Sequence, residues 1–101
     1  MKIDSLGSAL AGITSAAKTR GVASHNIANL QTEDFRPLRA RQIEGSGGNP
    51  TVVVDQAPAP EEVDLARELV DGLVSDVQAR ASFRVIDDSL DLVGQLIDEL
   101  A

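Results

Sequence analysis

The residues able to do chemistry are few. His25 is the single histidine and the chain has no cysteine. A histidine metal cluster, a thiolate ligand set and a cysteine nucleophile are therefore excluded. A lone histidine on a helix reads as a solvated or packing residue. Asp87, Asp88 and Asp91 lie close enough in sequence to suggest paired carboxylates or a cation site. On a helix, though, they fall opposite the Ile86, Leu90 and Val93 stripe, where acids solvate an outer face. The run Gly45-Ser46-Gly47-Gly48 has the glycines of a phosphate-binding loop but lacks the lysine and following helix that such a loop requires. These patterns predict a noncatalytic chain with no cofactor, no metal and no small-molecule substrate.

Charge narrows the partners. Residues 1–50 carry six Lys or Arg against four acids, whereas residues 51–101 carry three arginines against twelve acids. A net charge of −7 excludes nucleic-acid binding through phosphate neutralisation. The opposite balances suggest pairing of the N-terminal part with the C-terminal part of this chain or of a neighbour. From Ile3 to Ala17 the apolar residues are interrupted by Asp4, Gly7, Ser8, Gly12, Thr14 and Ser15. That pattern predicts neither a cleavable signal peptide nor insertion into a membrane.

The elements that would position such a chain fall into three zones. Residues 1–30 form the first: Ile3, Leu6, Leu10, Ile13 and Ala17 recur at three- and four-residue spacing, one face of an amphipathic helix. Small residues fill much of the rest, including Gly7, Ser8, Ala9, Ala11, Gly12 and Ala16. Small side chains permit close approach but bury little area, so this helix is expected to be weak alone and ordered by a partner. Lys18 and Arg20 are expected to lie against the acidic C-terminal helix, with Leu6, Leu10 and Ile13 supplying most of the packing.

The middle zone, residues 31–60, reads as nonhelical, with Pro37 disfavouring helix at Arg36. Three valines at Val52, Val53 and Val54 form a β-type run after the glycine turn. Leu38 to Ile43 could pair with it as a short hairpin, and Ala57-Pro58-Ala59-Pro60 reads as a stiff connector.

The last zone, residues 61–101, reads as one long helix starting just after Pro60. Val63, Ala66, Val70, Leu73 and Val77 mark one apolar stripe, and Phe83, Ile86, Leu90, Val93, Ile97 and Leu100 mark another. The six-residue step from Val77 to Phe83 turns the second stripe about a third of the way round the helix. Leu65 and Leu69 extend the second stripe backwards, so the first half has two apolar faces, which asks for a bundle or an oligomer. Leu69, Leu73, Phe83, Ile86 and Leu90 are accordingly expected to be buried by helices. The predicted fold is mainly α: two long terminal helices packed as an antiparallel hairpin or coiled coil, with a short β-hairpin between.

Two stretches carry a family resemblance. Ala23-Ser24-His25-Asn26-Ile27-Ala28-Asn29-Leu30-Gln31-Thr32, followed by Glu33-Asp34-Phe35-Arg36, resembles the N-terminal signature of bacterial flagellar rod, hook and hook-associated proteins. In that signature an Asn-Asn-Ile-Ala-Asn run, two variable residues, then Thr-Pro-Gly-Tyr and a basic residue close the first helix. Asn26, Ile27, Ala28, Asn29 and Thr32 match it, Phe35 stands for the Tyr, and Arg36 for the basic residue. Glu33 and Asp34 replace Pro-Gly, which leaves the geometry of that turn open. Independently, Glu62-Val63-Asp64-Leu65-Ala66-Arg67-Glu68-Leu69-Val70-Asp71 resembles the opening of the family's C-terminal helix, Asn-Val-Asp-Leu-x-x-Glu-(Leu/Met)-Val-(Asn/Asp).

The resemblance, with the short middle, is most like a proximal rod protein. It implies a structural subunit that assembles with itself and with other flagellar axial proteins. It further implies passage through the flagellar type III export apparatus and final residence in the periplasmic rod. The alternative expectation is a small helical binding module acting as a secretion chaperone or regulator, which would need an exposed apolar groove but not the Asn-Ile-Ala-Asn turn.

Overall fold

The computed structural model describes residues 3–101. Helix α1 spans Ile3–Ala28, strands β1 (Leu38–Glu44) and β2 (Pro50–Gln56) form a hairpin, and helix α2 spans Leu65–Leu100. Gly12 lies on Ser82, Arg20 on Asp76 and Asn26 on Glu68, so the helices run antiparallel. The molecule is a rod of 63 × 24 × 16 Å. The mainly helical fold and the central two-stranded sheet follow the sequence expectation. No described helix is long and apolar enough to cross a membrane.

The hairpin pairs antiparallel in the register Leu38↔Gln56, Ala40↔Val54 and Gln42↔Val52. Its tip needs glycine, since Gly47 and Gly48 have φ of 75° and 80°. Two strands alone are marginal in water; here α1 supports them. Ser8 donates to Asn49 at 3.1 Å, and Lys18 donates to the Val52 carbonyl at 3.3 Å. Ser15, Val22 and Val52 are buried along this flank. Lys18 therefore serves the hairpin, not the acidic helix where it was expected; Arg20 does reach α2, meeting Asp76 at 2.7 Å.

The start of α2 corrects the sequence reading by one turn. The helix begins at Leu65, not Glu61, and residues 61–64 are nonhelical. The Glu61 amide donates to the Phe35 carbonyl at 3.1 Å, and its carboxylate pairs with Arg39. These bonds hold the segment beside the hairpin base. Asp64 then caps the helix, its carboxylate accepting from the Arg67 amide at 3.1 Å.

A larger correction concerns which face of each helix turns inward. Leu6, Leu10 and Ile13 do not dominate the contact with α2: Leu6 and Ile13 are half-buried and Leu10 is exposed. The inward face of α1 is Ala9, Gly12, Ala16, Thr19, Ala23 and Asn26, at alternating three- and four-residue steps. Ala9, Ala16 and Ala23 are buried, and Asn26 is fully so. Opposite them α2 presents Gly72, Ser75, Ala79, Ser82, Ile86, Ser89 and Val93 with the same spacing, Ser75 and Ser89 being buried. A methyl added at Gly12 would stand 2.5 Å from the Ser82 hydroxyl oxygen. Small side chains win this interface because they let the backbones close up, which a seam of leucines would prevent.

Candidate functional site

Asn26 joins the three structured parts of the chain. Its side-chain amide donates to the Leu38 carbonyl at 2.8 Å and to a Glu68 carboxylate oxygen at 3.0 Å. Its carbonyl oxygen accepts from the Leu38 amide at 2.9 Å. The side chain thus pairs with β1 in the manner of a neighbouring strand while it holds the first turn of α2. Buried polar groups are costly unless satisfied, and here one side chain satisfies both backbone groups of Leu38. Sequence reasoning singled out Asn26 as a helix-end residue; it missed Glu68 as its partner. The only sequence signal was that both residues belong to the stretches resembling one family.

The remaining motif residues shape the end of α1. Asn29 donates from its side chain to the His25 carbonyl at 2.9 Å, covering an acceptor that the helix leaves free. Thr32 donates to the Asn29 side-chain oxygen at 3.1 Å. Ile27 is half-buried and Ala28 is exposed at the last helical position. Asp34 then takes φ of 54°, the left-handed region that favours glycine. The departure from Pro-Gly therefore keeps a backbone conformation that glycine would adopt readily. Phe35 follows, half-buried, its ring tilted 46° against His25 with centroids 5.6 Å apart.

The residues expected to pack in assembly divide into two sets. Ile86 and Val93 are half-buried in the seam with α1. Leu69, Leu73, Phe83, Leu90 and Ile97 are exposed, from 52% at Leu69 to 66% at Leu73. Within one chain they are thus not buried, because the small-residue face has taken the place against α1. The Arg20–Asp76 pair shows where they point. Seven-residue steps from it set Ile13 level with Phe83, Leu6 with Leu90 and Ile27 with Leu69, on the side away from the hairpin. Leu10 and Leu73 lie farther out on that side. The result is a surface built by both helices in which these apolar side chains flank the Arg20–Asp76 ion pair.

Two other features are accounted for locally. Asp87, Asp88 and Asp91 bring carboxylate oxygens within 4.8 Å of one another, and all three are exposed. A groove of about 690 Å³ lies between β1, α1 and the start of α2. Its lining mixes Arg39, Arg41 and Arg67 with Glu61, Asp64 and Asp71. Arg39 is engaged by Glu61, and Arg41 by Asp55 at 3.0 Å. Comparison of the chain with protein-family models and with curated proteins finds no match.

Proposed function

We propose that this chain is a structural, noncatalytic subunit of the bacterial flagellar basal-body rod, assembling with copies of itself and with related axial proteins through its two terminal helices. The observation that carries the reading is an inverted distribution of side-chain size. Alanine, glycine and serine make up most of the seam between the helices, while Leu69, Leu73, Phe83, Leu90 and Ile97 face outward. An exposed apolar surface of this extent is an interaction surface, and one shared by two long helices suits burial among other helices.

Two further observations support the axial reading over a free-standing helical module. The stretches that resemble the axial signature are bonded to each other through Asn26 and Glu68. Asp34 adopts left-handed geometry where the signature has glycine. A secretion chaperone or regulator would also use an exposed apolar face, but it has no need of that junction. On this reading the chain leaves the cytoplasm through the flagellar export apparatus and resides in the periplasmic rod.

The test is recovery of the tagged, full-length chain in purified hook–basal bodies from the source bacterium, together with loss of motility on deletion. Leu69→Asp combined with Phe83→Asp should leave the helical circular dichroism intact yet exclude the chain from those particles. A deletion strain that swims normally, with the tagged chain confined to the cytoplasm, would remove the reading.

A further inference from the structure

The outward face of α2 is self-complementary about Phe83. Arg80 lies three residues before it and Asp87 four after; Leu69 and Ile97 lie fourteen before and fourteen after. Leu73, ten residues before, is matched by Gly94, eleven after. These positions recur at helical spacing on the side of α2 away from the hairpin. The outward charges are segregated to match. Arg80 precedes Phe83, Arg84 lies next to it, and every charge after Arg84 is acidic: Asp87, Asp88, Asp91, Asp98 and Glu99. Asp76, the acid on the N-terminal part of this stripe, is neutralised by Arg20 at 2.7 Å.

We propose that a second copy of this chain covers this face in a closed, two-fold, antiparallel pair whose axis passes at Phe83. Antiparallel alignment sets Arg80 beside the partner's Asp87, twice by symmetry, and Leu69 beside the partner's Ile97. Parallel alignment would set arginine on arginine and aspartate on aspartate, which is repulsive. Gly94 has an added role here. It sits exposed inside a helix, where glycine is unfavourable, and nothing lies within 4 Å of the position its Cβ would take. It leaves room for the partner's Leu73. Because the same patch is used on both copies, the contact closes at two and cannot propagate. The pair would therefore hide the apolar face until other helices displace it. It stands apart from the axial reading, since it forms from the purified chain alone.

The absence of cysteine makes single-cysteine variants of the full chain a clean test. Phe83→Cys should oxidise to a covalent homodimer. Leu69→Cys should cross-link to Ile97→Cys when the two are mixed and not to itself, because two copies of residue 69 would stand about 40 Å apart at 1.5 Å per residue. Arg80→Glu should weaken dimerisation about tenfold, and adding Asp87→Arg should restore it. Sedimentation equilibrium of the unmodified chain should show a monomer–dimer equilibrium without larger species. A monomer at every concentration, or Leu69→Cys cross-linking to itself in preference to Ile97→Cys, would overturn the proposal while leaving the axial reading to its own test.

Discussion

The two long faces of α2 solve different problems with different residues. The inner face, Gly72, Ser75, Ala79, Ser82, Ile86, Ser89 and Val93, gives up buried area in exchange for closeness. It fixes the register, with Gly12 seated on Ser82 and Arg20 on Asp76. The outer face keeps the side chains that could bury the most: Leu69, Leu73, Phe83, Leu90 and Ile97. In an ordinary two-helix hairpin the large side chains would go inside, because apolar area removed from water is the main driving term. Here the chain holds its own shape with steric fit and a few buried polar bonds, and leaves its large apolar area exposed. On the proposed reading, that difference lets one helix both define a fold and present an interface.

The largest loss is expected at the end of the seam nearest the hairpin base. Asn26→Ala should cost about 3 kcal/mol, since it leaves the half-buried amide and carbonyl of Leu38 without their partner and releases Glu68. Urea denaturation in dilute solution measures it, and a loss under about 1 kcal/mol would show that the junction adds little.

A matched pair separates the two faces directly. Ile86→Asp puts a charge in the half-buried seam and should destabilise the dilute monomer by about 1–3 kcal/mol. Leu90→Asp, four residues on and exposed, should stay within about 0.5 kcal/mol of the unmodified chain. Its effect should appear only in association. Equal losses from both would mean that the inner and outer faces have been drawn wrongly.

Glycines sharpen the same contrast with opposite signs. Gly12→Leu should cost about 1–3 kcal/mol by forcing the helices apart at Ser82. Gly21→Ala, with open space around it, should gain about 0.5–1 kcal/mol from helix propensity. The smallest effect is expected outside both faces, at the turn. Asp34→Gly relieves the left-handed backbone but frees the unfolded chain, so the net change should be a gain of about 0.5 kcal/mol. Thermal melts suffice for both, and a loss on Asp34→Gly would mean that the aspartate side chain contributes a bond of its own.

Several elements were legible in the residues alone because they depend on local chemistry. The three- and four-residue apolar spacing announced both helices. The glycines at 47 and 48 announced the hairpin tip, which positive φ requires. The Asn-Ile-Ala-Asn run marked the end of α1, where Asn29 and Thr32 bond to nearby backbone and to each other. The start of α2 was misread by a turn because Pro60 and the acids at 61 and 62 looked like a helix opening. Asp64 is the actual cap, and the bonds of Glu61 to Phe35 and Arg39 that exclude helix there are nonlocal.

The residues alone dictate where helix and turn chemistry lies, the first turn of α2 apart, and that the large apolar side chains share faces. Periodicity states that such residues lie together; it does not state what they lie against. It is the packing of α1 on α2 that sets Ala9, Ala16 and Ala23 against Ser75, Ser82 and Ser89 while the leucines turn away. Close approach of two backbones is a property of the pair. Its gain grows as both partners become small, whereas a hydrophobic stripe is scored on one helix at a time. The seven-residue recurrence of those alanines and serines was present in the sequence, but only a second helix in antiparallel register turns it into an interface.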